Sequence, residues 1–195
     1  MSDQELLKIS KMPVEVQQLA LGGYLSRLFD SDNVLLTVVG GAAVQYYTKA
    51  EYTTKDLDAI LVGDTTTIIE RVMGSIGFKR TSTYRHFEHP LFPFVVEFPP
   101  SPIEVGNRHI GDVNIVEFEG YRVRVIRIED IIMDRIIAGV EWGQKSRLEQ
   151  ARLLWLKNQK FIDLKYLKHF AKSEGYEKDL KQIMKPLKPV KKPKK

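Results

Sequence analysis

The sequence predicts an α/β (α+β) fold: a small mixed β-sheet flanked by helices, followed by a C-terminal helical region. Three observations carry this. Short apolar, β-branched runs at 34–39, 56–62 and 94–98 are bounded by Gly, Pro or acidic residues, as buried strands are. Two more runs, 114–118 and 121–126, flank Glu119-Gly120, a two-residue hairpin signal. Helical spacing dominates both ends of the chain.

The elements follow in order. Residues 3–11 and 14–29 read as helices. Pro13 suits the entry to a first turn, and Val16, Leu19, Ala20 and Leu28 fall near helical spacing. Gly22-Gly23 weakens the middle of the second helix, because glycine is a poor helix former. The strand at 34–39 ends at Gly40-Gly41, and a helix over 42–50 follows. Residues 53–55 turn the chain into the strand at 56–62. Asp64 or Thr65 caps a helix that runs to about residue 76, and Gly77 closes it. Residues 78–81 form a strand, 85–93 are irregular, and Pro99-Pro100 stops the strand at 94–98. After the hairpin come helices at 128–139, 147–157 and 163–173. The tail from Lys185 has three prolines and six lysines, a composition that does not pack.

Composition narrows the chemistry. The 195 residues include no cysteine, which excludes disulfides, thiolate metal sites and cysteine nucleophiles. No signal-peptide pattern opens the chain and no apolar run is long enough to span a bilayer, so the expected location is the cytoplasm. The net charge of +5 hides a split. Residues 1–144 carry 14 Lys/Arg against 20 Asp/Glu, a net of −6. Residues 145–184 carry ten against five, and the last eleven residues carry six lysines and no acid. An acidic part beside a basic part suits cations at one end and a polyanion at the other. A solvated acidic surface with a solubilising tail gives the same split.

Three groups of residues carry the candidate chemistry. Gly40-Gly41 joins a strand to a helix. Glycine lets the backbone approach a ligand, and the amides of a helix start suit an anion. Asp56 and Asp58 are two apart in a strand, so they share a face. Adjacent carboxylates repel unless a cation lies between them, and Mg²⁺ prefers such oxygen ligands. A pair of solvated acids at a strand end is the alternative. Glu97 interrupts an apolar strand, where a carboxylate is unfavourable unless it is paired or reaches solvent on an edge.

Taken in order, Gly40-Gly41 with the wording Gly-Gly-x-Ala-Val-x-x-Tyr, then Thr54-x-Asp56-Leu-Asp58, then Glu97, resembles the polymerase β-like nucleotidyltransferase superfamily. The wording is similar to a small prokaryotic branch that includes abortive-infection and toxin–antitoxin nucleotidyltransferases. The resemblance covers residues 34–157. It implies a nucleotidyltransferase fold and transfer of a nucleoside monophosphate from a nucleoside triphosphate such as ATP to a hydroxyl, with release of pyrophosphate. It implies Asp56, Asp58 and Glu97 as catalytic residues and as ligands of two Mg²⁺ ions, or Mn²⁺ in their place. It implies nucleotide contacts from Gly40, Gly41 and Thr54, the last also a turn residue. Where the branch has a phosphate-binding lysine this chain has Asp134-Arg135, with Arg135 as the substitute. The branch then shows aspartates where this chain has Arg147 and Gln150, with only Glu149 nearby. That departure allows a different substrate, or a module on the same fold that binds nucleotide or RNA without turnover.

Element order and composition divide the chain into an expected catalytic core with N-terminal helices over 1–127, a basic helical region over 128–183, and a disordered tail over 184–195. The basic region makes RNA, such as transfer RNA, the first acceptor to expect. A protein or a small hydroxylated molecule is the alternative. Trp155, Phe161, Tyr166, Phe170 and Tyr176 lie in that region, where aromatics serve helix packing or base stacking. His86 and His89 have metal-ligand spacing only on a helix, and Pro90 argues against one. Arg85 and His86 precede the Glu97 strand and are placed to reach a nucleotide.

Overall fold

A computed structural model describes residues 4–63, 65 and 67–186. The elements are α1 (Gln4–Ser10), α2 (Val14–Asp30), β1 (Leu35–Val38), α3 (Gly40–Tyr47), β2 (Asp56–Val62), α4 (Ile68–Ser75), β3 (Lys79–Arg80), β4 (His86–Glu88) and β5 (Val95–Glu97). After these come β6 (Glu104–Val105), β7 (Arg108–His109), β8 (Val113–Phe118), β9 (Tyr121–Ile126), α5 (Ile128–Glu141), α6 (Lys145–Asn158), α7 (Leu164–Glu174) and α8 (Glu177–Ile183). Seven strands form one mixed sheet in the order β3-β4-β5-β2-β1-β9-β8, and β6 and β7 form a separate ribbon. β2 runs antiparallel to β1 and parallel to β5, and β1 runs parallel to β9. The mixed sheet with flanking helices agrees with the expected fold class.

Two strand positions orient everything that follows. β1 delivers the chain to Gly40, and α3 and a turn bring it back along β2. One face of the sheet, with Val38, Leu57, Val96, Phe98 and Val123, is buried. α2 lies across it, and Phe29 of α2 meets Phe98 edge-on at 5.8 Å. The Gly22-Gly23 pair serves this contact. A Cβ on Gly22 would come within 2.6 Å of Val38 Cγ2, and one on Gly23 within 2.6 Å of Tyr121 Cβ. Their poor helix propensity, roughly 1 kcal/mol each, is offset by the close approach of α2 to β1 and β9.

The C-terminal helices attach through specific polar contacts. Asn158 Nδ2 donates to the Tyr47 carbonyl at 2.9 Å, which ties α6 to the end of α3. The Asp163 amide donates to Glu129 Oε1 at 2.6 Å and the Tyr166 hydroxyl to Asp130 Oδ1 at 2.6 Å, which ties α7 to the start of α5. The Arg127 guanidinium lies 4.4 Å from the Tyr166 ring centre, and Arg108 lies 4.7 Å from that of Phe170. Tyr166 and Phe170 are therefore packing aromatics.

Several expectations need correction. Residues 85–93 are not all irregular, because His86–Glu88 form β4. This strand buries only Phe87, so it has no apolar run to read, and its pairing to β3 and β5 makes it a strand. The β6–β7 ribbon and α8 were not expected, being too short to show periodicity. α3 begins at Gly40 rather than at 42, with Gly40 at φ +58°. α4 begins at Ile68 with Thr67 as its N-cap. Asp64, an expected cap, and residues 187–195 of the expected tail lie outside the described residues. The hairpin turn is as expected, with Glu119 and Gly120 both at positive φ, 51° and 82°. Among the described residues, no helix is long and apolar enough to cross a membrane.

Gly23→Ala places a methyl against Tyr121 and Val123 side chains that belong to the core. Overpacking of this kind costs about 1–3 kcal/mol. Urea denaturation of the variant is expected to show a loss in that range, even though alanine is the better helix former.

Candidate functional site

The face of the sheet opposite α2 opens at the N-terminal ends of β2 and β5. Asp56 and Asp58 point to it by strand alternation. The parallel pairing of β2 with β5 sets Asp58 beside Glu97 and Asp56 beside Val95. The antiparallel pairing of β4 with β5 sets His86 beside Glu97. Asp58, Glu97 and His86 thus form one row across three strands, with Asp56 one step away on the same face. His86 Nε2 lies 3.4 Å from Glu97 Oε1. The two residues are half-buried, while Asp56 is exposed.

Asp58 is the most constrained of these. Its pKa is raised, first by burial and then by the neighbouring charges of Glu97 and Asp56. The Gly41 amide and the Arg135 charge act in the opposite direction. The Gly41 N–H donates to Asp58 Oδ2 at 3.1 Å. Gly40 sits directly against the Asp58 side chain, at a positive φ and with no room for a Cβ. The Gly41 amide meets the chain's own carboxylate, and the pair's visible work is to let β2 lie close to the start of α3.

The turn that carries Asp56 is held from beneath. A Cβ on Gly41 would come within 2.5 Å of Thr54 Oγ1, so Thr54 packs on the glycine turn. Its hydroxyl faces the Asp56 amide at 3.4 Å. Gln18 Nε2 donates to the Thr54 carbonyl at 2.9 Å, and the Thr54 amide donates to Gln45 Oε1 at 3.0 Å. Gln45 Nε2 donates in turn to Gln18 Oε1 at 2.6 Å. Both glutamines are buried, and removing either would leave buried backbone groups without partners.

Arg135 lies beneath the site rather than on its surface. It is 5% exposed and its Nη1 meets Asp134 Oδ2 at 2.7 Å. Its Nε and Nη2 have no partner among the described residues. Burial lowers its pKa, while the charges of Asp134 and Asp58 act to hold it protonated. Asp134 is raised by burial and stabilised by Arg135 and Arg147. Arg147 therefore stands close enough to Arg135 and Asp134 to be felt by both.

The donor set suits a hard divalent cation: three carboxylates on one face, with no sulfur. Among the described residues, however, no group of three or more His, Asp or Glu is arranged to hold a metal ion as it stands. Glu97 is turned to His86 and Asp58 to Gly41, and like charges repel. His86 and His89 do not form a site of their own. His86 joins Glu97, whereas His89 accepts the Leu91 amide at 3.1 Å and packs 4.9 Å from Phe78.

Sequence reasoning missed the His86–Glu97 pairing, which depends on strand register. It also missed Gln18 and Gln45. Two adjacent glutamines inside an otherwise apolar helix, Gln17-Gln18, were the available signal.

No protein-family model and no curated protein matches the chain in sequence. Solved structures do match in shape. An antigenic nucleotidyltransferase-like protein from Paracoccidioides brasiliensis is similar over 85% of this chain and 91% of its own, at a TM-score of 0.56 and 15% identity. The solution structure of the antibiotic-resistance factor ANT(2'')-Ia is similar over 85% and 96%, at 0.52 and 17%. The crystal structure of ANT(2'')-Ia in complex with adenylyl-2''-tobramycin is similar over 81% and 98%, at 0.53 and 18%. At these identities the likeness is one of fold, and the chain has the fold of these nucleotidyltransferase-like proteins.

Proposed function

We propose that the chain is a nucleotidyltransferase that moves a nucleoside monophosphate from a nucleoside triphosphate to a hydroxyl acceptor. The observation that carries this reading is the row Asp58–Glu97 with Asp56 on the same sheet face, beside a glycine turn. A similar structure that holds adenylyl-2''-tobramycin supports it. The wording around Gly40-Gly41 and Asp56-Leu-Asp58 supports placing the chain near the abortive-infection and toxin–antitoxin branch.

In this reading Asp56, Asp58 and Glu97 are the residues that would hold two Mg²⁺ ions, which would supply charge neutralisation at the phosphates and acidify the acceptor hydroxyl. The acceptor oxygen attacks the α-phosphorus in line. The bond from that phosphorus to the bridging oxygen breaks, and pyrophosphate leaves with its electrons. Glu97, beside His86, takes the hydroxyl proton. Gly40 and Thr54 shape the turn beside the phosphates. Arg135, buried beneath Asp58, offsets the charge of the acidic row. For the acceptor we propose RNA. Its support is the exposed lysines Lys165, Lys168 and Lys172 on α7, with Lys178 and Lys181 on α8.

A second reading is a module that binds nucleotide or RNA without turnover. It is favoured by the carboxylates that are not drawn together and by Arg147 and Gln150. Incubation with each α-labelled triphosphate, Mg²⁺, total RNA and a small-molecule extract separates the two. Transfer of label to any acceptor, abolished by chelator, supports the enzyme. Saturable nucleotide binding with no transfer supports the module.

Asp58→Asn gives two expected outcomes. Label transfer falls by roughly 10²–10³-fold, the scale of losing one group that stabilises transition-state charge. Stability moves the other way. The folded pKa of Asp58 is raised, so the folded chain loses stability as pH climbs from the unfolded value of about 3.9 through the raised one. Asparagine removes that loss. In metal-free buffer the variant melts higher than wild type at neutral pH, and the difference vanishes below about pH 4. Thermal melts across pH check this, and a variant that melts lower at pH 7 contradicts it.

A further inference from the structure

A second row of side chains lies on the same sheet face as the acidic row, one step toward the start of β2. The register sets Asp56 of β2 beside Val95 of β5. The same pairing of β4 with β5 that joins His86 to Glu97 brings Glu88 level with Val95. Glu88 in turn pairs with Lys79 of β3. All four residues of this row line one cavity of about 610 Å³. Lys55 and the β4–β5 loop, with His89, Pro90, Phe92, Pro93 and Phe94, complete its walls.

The cavity is preformed. Phe92 and Phe94 are buried and 5.4 Å apart between ring centres. His89 accepts the Leu91 amide and packs against Phe78 and Phe92, so the loop is anchored from within. Two prolines stiffen it further. The volume lies within the range of small-ligand pockets, roughly 300–1,000 Å³.

Its charges point to a ligand class. Lys55 and Lys79 have no carboxylate within 4.0 Å among the described residues. Lys79 stands at the far end of the row from Asp56. Three strand spacings separate them, about 14 Å. That span suits a ligand with an anion at one end and a hydroxyl at the other. Asp56 lies two residues from Asp58 on the same face, so the hydroxyl end falls beside the carboxylate row. Gly40 and Gly41 meet Asp58 outside this cavity, whose lining does not include them.

We propose that this cavity is the acceptor subsite and takes a phosphorylated sugar unit, with its phosphate on Lys79 and its hydroxyl end toward Lys55, Asp56 and Glu97. The inference rests on the transferase reading of the carboxylate row. The unit can arrive as a free sugar phosphate or as the end of an RNA strand. Both present the same phosphate, ribose and hydroxyl.

Binding is tested apart from catalysis, by NMR titration of the full-length chain without nucleotide or metal. The probes are ribose 5-phosphate, ribose, and a trinucleotide with a free 3′ hydroxyl. Ribose 5-phosphate or the trinucleotide should shift the Val95 and Phe94 amides saturably, and ribose should not. Lys79→Glu should weaken that binding by about tenfold or more, the effect of losing a charge-assisted contact. Lys79→Arg should keep it. Binding by the trinucleotide alone assigns the unit to an RNA end, and binding by the free sugar phosphate alone assigns it to a small molecule. Either supports the subsite. Equal binding of ribose, or unchanged affinity in Lys79→Glu, overturns it. A chain that binds these probes as described but transfers no label keeps the subsite and sinks the transferase. A chain that transfers label with unchanged acceptor KM in Lys79→Glu does the reverse.

Discussion

The Asp58 carboxylate is pressed against the Gly40-Gly41 turn while Glu97 and Asp56 stand on the same face, and much of the neighbouring chain follows from holding it there. A half-buried acid beside two others is electrostatically unfavourable. The fold offsets this with one amide hydrogen bond, from Gly41, and one buried guanidinium, Arg135. The amide reaches only because Gly40 adopts a positive φ and brings no side chain. The turn after α3 must then close tightly, and the buried Gln18–Gln45 pair ties its Thr54 backbone to α2 and α3. Helix packing, turn geometry and carboxylate placement are one problem solved together.

That arrangement divides the surroundings of Asp58 in two. Arg135, Asp134 and Arg147, all on α5 and α6, approach from the helical side. Glu97, His86 and the cavity over β3 to β5 lie on the sheet side. A reaction between two substrates needs this kind of division, because both must reach one centre without displacing each other. The helical side holds the buried Arg135, and the sheet side has a walled cavity lined by Lys55 and Lys79, which have no carboxylate partner among the described residues.

The parts legible in the sequence are those with strong local signals. The strands containing Asp56, Asp58 and Glu97 stand out as apolar runs, and the Glu119-Gly120 hairpin announces itself by turn chemistry. The shared face of Asp56 and Asp58 follows from alternation alone. The neighbour relation of Asp58, Glu97 and His86 does not, because register between strands nearly forty residues apart leaves no mark on local pattern. β4 was invisible for the same reason: a three-residue strand with one buried side chain has no periodicity. Arg135 shows the limit of reading charge. Its type suggested a surface phosphate contact, while its neighbours Ile136, Ile137 and Ala138 are core residues that carry it under the surface.

The positive charge of the C-terminal region also separates once partners are known. Arg152 donates to the carbonyls of Gln182, Ile183 and Lys185 at the end of α8, and Lys157 pairs with Glu51. These hold helices in place. Lys165, Lys168 and Lys172, three and four residues apart, share one exposed face of α7, and Lys178 and Lys181 continue the exposed charge on α8. Exposed charges of this sort act over about 8 Å at physiological salt. They attract an anion from solution but do little for the partly buried Asp58. Two kinds of positive charge are therefore needed in this molecule. In the proposed reading the exposed set gathers a polyanion, while the buried Arg135 offsets the charge of the acidic row.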